Sequence, residues 1–247
     1  MSTLSFVACA SNSEVLGQRL LASNCLHHGG WPLAVYFNAS SAAHGFNSAM
    51  VAAQMVAAQS TSANAWLVWV HQDVFLPEHW DSHFMLALDA ALQRFPKLAV
   101  AGVYGVAGAG ENAKRAGHVL DRGTLLRESA PLPCLVDSLD ELLFAVRVHS
   151  GLRLDPALGF DFYATDLVLQ AQQQGWQCAV VDACCEHWSD TPASGAIPTA
   201  VVQRIKKSAN IFERKWARWL PISTPCFEIA RAGDVAAFIE SIVLNSP

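Results

Sequence analysis

Residues 65–77 read AWLVWVHQDVFLP. Six apolar residues run without a break into His71, Gln72 and Asp73, and Pro77 follows. A short apolar run without alternation, rich in Val and aromatic side chains, is the pattern of a strand covered on both faces. In open α/β sheets, ligands bind beyond the carboxyl ends of such strands. The polar residues that end this run therefore carry the first functional weight. His71 and Asp73 are two apart, and in an extended segment residues i and i+2 share a face. One imidazole and one carboxylate on a common face can meet a single divalent cation.

The same kind of segment recurs on both sides. Leu4–Ala10 (LSFVACA), Leu33–Phe37 (LAVYF), Leu98–Val103 (LAVAGV), the LLFAVRV run within 135–148 and Cys178–Val181 all read as strands. Helical patterns lie between them. Ser11-Asn12-Ser13 supplies an N-cap, with Glu14 in the first turn of a helix that continues over Val15–Cys25. Further helices are expected over Phe46–Gln59, Trp80–Arg94 and Phe162–Gln174, the last closed by Gly175. Gly102–Gly117 holds five glycines and reads as a flexible loop. Arg204–Pro221 reads as a basic amphipathic helix carrying Trp216 and Trp219. Apolar strands alternating with helices predict an α/β fold with a mostly parallel sheet flanked by helices.

Composition narrows the classes. Of 247 residues, 52% are hydrophobic and 15% charged. That is enough for a sizeable core and too apolar for a disordered chain. A net charge of −5 offers no basic excess, so nucleic acid is not expected as a partner. Ala49–Val70 is interrupted by Gln54, Gln59, Ser60, Thr61, Ser62 and Asn64, so no transmembrane segment is expected. Residues 1–10 lack the pattern of a signal peptide. Basic residues beside two tryptophans leave weak peripheral membrane contact open. Seven cysteines with no C-x-x-C pair read as free thiols of a reducing, cytoplasmic compartment. No dinucleotide glycine fingerprint, P-loop or nucleophile elbow is present.

Two later stretches join the first. GFDFYATDLVLQAQQQGW, residues 159–176, places Asp166 at the start of a helix, where an acid also complements the helix dipole. AVVDACCEHWSD, residues 179–190, places His187 shortly after a strand. Together these segments resemble the family 2 glycosyltransferases of fold type A. The nearest resemblance is to the glycosyltransferase-like group named after a streptomycin-biosynthesis protein. In that group an H-Q-D-x-x-x-P stretch is followed by V-D-x-x-D-E with a later Arg, then F-x-F-Y-x-x-D-L, then V-x-D-x-x-x-x-H. Here these stand as His71-Gln72-Asp73 with Pro77, Val136-Asp137 with Asp140-Glu141 and Arg147, Phe160–Tyr163 with Asp166-Leu167, and Val181-Asp182 with His187. The resemblance covers about Leu4 to Ser189.

The resemblance implies a single domain of the GT-A (nucleotide-diphospho-sugar transferase) fold over 1–247, with a core about 4–190 and a C-terminal extension about 191–247. It implies a metal-assisted, inverting transfer from a nucleotide-diphosphate sugar to a glycan, lipid or small-molecule acceptor. His71-Gln72-Asp73 stands where the family has D-x-D, so His71, Asp73 and His187 are the expected ligands of Mn²⁺ or Mg²⁺. Ala8, Asn12, Asn38, Asn47, Gln72 and Asp73 are the expected nucleotide-sugar contacts. Tyr163 and Ala164 occupy the place of the family's acidic pair, which leaves Asp166 as the expected base and Asp161 as its alternate. That departure also supports a second possibility: a degenerate relative that binds a nucleotide or glycan without turnover. A hydrolase or nucleotidyltransferase ranks below both.

Overall fold

The computed structural model describes residues 2–59, 64–188 and 198–244. The chain opens with β1 (Thr3–Ala10) and α1 (Ser13–Gln18), whose N-cap Asn12 accepts the N–H groups of Glu14 and Val15 at 3.0 and 3.1 Å. The continuous helix expected over Val15–Cys25 does not form. A 3₁₀ turn at Leu20–Ala22 separates α1 from α2 (Asn24–His28). In one unbroken helix at about 100° per residue, Cys25 would point away from Leu16. The break lets Leu16, Leu20, Cys25 and Leu26 all reach the core.

Next come β2 (Leu33–Phe37) and α3 (Ala42–Ala57), which begins earlier than the expected Phe46 because Ser41 Oγ caps it by accepting His44 N–H. Then follow β3 (Ala65–Val70), β4 (Val74–Phe75), α4 (Trp80–Arg94) and β5 (Leu98–Gly102). The glycine-rich stretch is the main correction to the expected fold. It forms β6 (Tyr104–Ala107) and the start of β7 (Lys114–Asp121), paired antiparallel. Its glycines permit a tight turn at Gly108 and Gly110, with φ of +76° and +59°. Gly117, with φ of +99°, lies so close to the chain that an added Cβ would sit 2.1 Å from the Val103 carbonyl oxygen.

The chain continues through β8 (Thr124–Arg127), β9 (Cys134–Leu135), β10 (Ser138–Leu139), β11 (Leu143–Arg147), α5 (Tyr163–Gln173), β12 (Gln177–Val180) and β13 (Glu186–His187). It ends with α6 (Thr199–Lys215), β14 (Ile222–Ser223), β15 (Glu228–Ile229) and α7 (Asp234–Leu244). The expected boundary near 190–191 lies outside the described residues.

The main sheet has the order β2-β1-β3-β11-β5-β12-β9. The strands β2, β1, β3, β5 and β12 run one way, while β11 and β9 run against them. The sheet is therefore mixed, with a mostly parallel sense. Trp66, Val68 and Val70 of β3 pack with α1, α2 and α4 on one face. Leu67 and Trp69 pack with α3 and α5 on the other. A second sheet, β10-β6-β7-β13-β4 with β8 beside β7, stands against the carboxyl ends of the main strands. A third cluster around Phe162, Phe212, Trp216 and Ile239 joins α6 and α7 to the start of α5. Within it Trp216 is buried, whereas Trp219 is exposed. No helix among the described residues is long and apolar enough to cross a membrane.

The Gly117 geometry yields a direct test. Gly117→Ala is expected to lower stability by about 2 kcal/mol or more, since the backbone must shift to admit the methyl group. Gly17→Ala, in α1 with nothing within 4 Å of its added Cβ, is expected to be neutral or slightly stabilising. Urea unfolding of the two variants checks both.

Candidate functional site

The site forms where β3 ends. His71 N–H donates to the Leu142 carbonyl at 2.9 Å, and Val74 N–H donates to the His71 carbonyl, so the chain turns at once into β4. Strand β4 pairs with β13, which sets His187 opposite Val74. The other side of β13 pairs with β7, which sets His187 beside Asp121. Two short ladders thus carry His187 across to Asp73.

The hydrogen-bond partners assign the histidine tautomers. His187 Nδ1 lies 2.9 Å from Asp121 Oδ1, so it carries the proton and donates it. Its Nε2 lone pair then faces Asp73 Oδ1 at 3.7 Å. His71 Nε2 lies 2.7 Å from the Tyr163 hydroxyl. That hydroxyl donates to the Glu141 carbonyl at 3.3 Å, so it accepts from His71 Nε2–H. The His71 Nδ1 lone pair therefore faces Asp73 Oδ1 as well, at 3.9 Å. Burial pushes the Tyr163 phenol well above its ordinary range, with Glu141 adding to it, so the phenol keeps its proton. Burial also holds the His71 imidazole below its ordinary range, with His187 adding and Asp73 and Asp140 opposing. The neutral ring is the form that ligates metal.

Three lone pairs thus converge with no proton among them. The ligating atoms of His71, Asp73 and His187 lie within 4.8 Å of one another. Asp73 Oδ1 is buried and has no hydrogen-bond partner. Such an oxygen is costly unless a cation meets it. Ligand atoms about 2.1 Å from a shared ion stand up to about 4.2 Å apart, and Asp73 Oδ1 lies within that span of His187 Nε2 at 3.7 Å and of His71 Nδ1 at 3.9 Å. The donor set fits a divalent ion, and Asp121 behind His187 is the carboxylate–histidine support that metal ligands use.

Beside this cluster lies a cleft of about 550 Å³, lined in part by Ser11, Asn38, Gln72, Asp73, Phe160 and Arg204. Among the expected nucleotide contacts, Asn38, Gln72 and Asp73 face it. Gln72 Oε1 also accepts the N–H groups of Ser11 and Asn12, both at 3.0 Å, and so ties the ends of β1 and β3 together. Three expected contacts lie elsewhere. Ala8 is wholly buried in the core. Asn12 spends its side-chain oxygen on the α1 cap. Asn47 is locked to the backbone of Leu154 by two hydrogen bonds.

The two expected bases also separate. Asp166 is wholly buried. Its oxygens take Trp216 Nε1 and Lys215 Nζ, each at 2.7 Å, and Gln170 Nε2 at 2.5 Å. With no open face it fastens α6 to α5, which is a structural task. Asp161 receives Arg204 Nη2 and Nε at 3.0 and 3.1 Å and Ser208 Oγ at 3.1 Å. Asp121, Arg204 and the Tyr163 hydroxyl were not singled out from sequence as working parts of the site. Arg204 reads there as one charge in a basic helix, and Asp121 as a strand-end acid.

No family model matches the chain. A protein of Fuscovulum blasticum described as "ATP synthase subunits region ORF 6" is 29% identical over 165 residues, covering 63% of this chain and 61% of that protein. The chain thus spans less than two thirds of that relative's length. Among solved structures, a STIV protein aligns with a TM-score of 0.46 at 12% identity, over 77% of this chain and 87% of that one. S. aureus TarS (residues 1–349) aligns at 0.40 and 10%, over 90% and 75%. The inositol-1-phosphate CTP transferase from T. maritima aligns at 0.33 and 13%, over 83% and 96%. All three scores lie below 0.5.

Removing the support behind His187 tests the candidate metal site. Asp121→Asn is expected to weaken Mn²⁺ binding by about 10- to 100-fold while the fold is kept. Isothermal titration with Mn²⁺ measures it.

Proposed function

We propose that the cleft holds a nucleotide-diphosphate sugar and that the protein is a GT-A-type, inverting glycosyltransferase. The observation that carries this reading is the convergence of His71 Nδ1, Asp73 Oδ1 and His187 Nε2 at the carboxyl end of β3, with Arg204 across the same cleft. Those three residues would hold the divalent ion, and two imidazoles among three ligands favour Mn²⁺ over Mg²⁺. Such an ion neutralises charge on a departing diphosphate. Arg204 adds a second cation, aimed by Asp161, whose carboxylate takes one edge of the guanidinium. Asn38 and Gln72 supply polar contacts at the wall of the cleft. The resemblance to the streptomycin-biosynthesis-type group belongs to this proposal, as do a cytoplasmic location and any peripheral membrane contact.

One observation favours the alternative, a relative that binds without turnover. Tyr163 and Ala164 replace the acidic pair, and Asp166 is sealed in the core. Binding and turnover therefore need separate measurement.

Thermal shifts with UDP, GDP, dTDP and CDP, each with and without Mn²⁺ or Mg²⁺, test the donor site. One diphosphate is expected to stabilise the protein only with metal, by about 2.7 kcal/mol at a hundredfold excess over its dissociation constant. Asp73→Ala is expected to abolish that shift, and Arg204→Ala to weaken binding by about tenfold or more. If no diphosphate shifts the wild type under any of these conditions, the nucleotide reading of the cleft is wrong.

A further inference from the structure

A second chamber adjoins the cleft, and His71 lines both. It encloses about 240 Å³ between the start of α5, helix α6 and the C-terminal segment. Its walls divide by chemistry. Phe162, Ile205, Phe227 and Ile239 form an apolar side. Asp140, Glu141 and Asp161 form an acidic side next to His71. The Asp161–Arg204 pair stands between the two spaces, with Asp161 on the chamber and Arg204 on the cleft.

The three acids differ in what they have left to do. Asp161 is occupied by Arg204 and Ser208. Asp140 Oδ1 accepts Leu142 N–H at 3.0 Å. Glu141 Oε1 is buried and has no hydrogen-bond partner. A buried carboxylate oxygen without a donor is costly to keep and is satisfied by a ligand that brings one.

We propose that this chamber receives the acceptor, that the acceptor carries an apolar group beside its reacting hydroxyl, and that Glu141 takes that hydroxyl's proton. The inference rests on the donor reading of the adjoining cleft. The acceptor oxygen bonds to the anomeric carbon as the bond from that carbon to the β-phosphate oxygen breaks. The electron pair of the broken bond stays on the diphosphate. The hydroxyl proton passes to Glu141 and then to solvent. Burial, with Asp161 and Asp140 adding, pushes the Glu141 carboxyl upward, and the N–H groups of Ala164 and Tyr163 oppose it. An upward shift makes a carboxylate a stronger proton acceptor. The apolar wall selects the acceptor's body, because a hydrophobic group gains there what it loses in water.

The experiment uses the full chain, Mn²⁺ and the nucleotide-diphosphate glucose whose base gives the largest thermal shift. Release of the nucleoside diphosphate is followed in water alone, with methyl β-glucoside, and with octyl β-glucoside below its micelle concentration. Octyl β-glucoside is expected to raise release about tenfold or more over the methyl compound. Glu141→Gln is expected to lower release about a hundredfold while the diphosphate-induced thermal shift is kept. Glu141→Asp, which restores a carboxylate, is expected to regain part of the loss. Equal release by wild type and Glu141→Gln overturns the role of Glu141. So does a wild type that binds the diphosphate yet releases none from the sugar donor. Equal stimulation by the two glucosides overturns the apolar acceptor. A wild type without any metal-dependent shift instead removes the donor reading, and this inference with it.

Discussion

A strand covered on both faces cannot slip, and β3 is such a strand. Trp66 to Val70 are each 1% exposed or less, with alternate side chains locked into different halves of the core. Moving the register by one residue would exchange Trp69 for Val70 and draw His71 into an apolar layer. The end of β3 is therefore fixed in space, and with it the turn that presents His71 and Asp73. Strand β11 reinforces the position from the side. It pairs antiparallel with both β3 and β5, and its lead-in places the Leu142 carbonyl over the His71 amide.

The second sheet then completes what the first begins. A single edge of the main sheet supplies only His71 and Asp73. The β7–β13–β4 ladder adds His187 and its supporting acid, Asp121. Tyr163, at the start of α5, fixes the other ring nitrogen of His71. Each outward hydrogen bond forces an inward lone pair, so the polarity of the cluster is set by groups that do not belong to it. This arrangement is unfavourable by itself, because two imidazole lone pairs face a buried carboxylate oxygen. A cation removes that conflict, which is why the geometry speaks for a metal more strongly than the bare presence of two histidines and an aspartate.

Charge is also partitioned around the site. Asp161 and Arg204 neutralise each other at the boundary between the cleft and the chamber, and in doing so orient the guanidinium toward the cleft. Lys215 joins Asp155 and Asp166 away from that boundary and holds α6 in place. The two acids of the GFDFYATD stretch thus serve different masters despite their closeness in sequence. One shapes the site and the other anchors a helix.

The sequence alone was enough for the local matters. Apolar runs marked the main strands, and periodicity marked α4 and α5 almost to the residue. These depend on side-chain pattern and short-range geometry. His71 and Asp73 do come together, but through the turn that closes from the His71 carbonyl onto Val74 N–H and not through the two-residue repeat of an extended strand. The resemblance of ordered motifs added His187. Tertiary structure decided the rest. Gly102–Gly117 looked like loop because glycine signals turns, yet its glycines serve a hairpin whose strands touch too closely for a Cβ. The Val15–Cys25 helix broke because a core on one side demanded what a single helical face could not give. Asp121 reaches His187 across 66 residues and Arg204 reaches Asp161 across 43. Nothing in the pattern around those residues reports such a meeting, since it is the packing of two sheets and a C-terminal helix that brings them together.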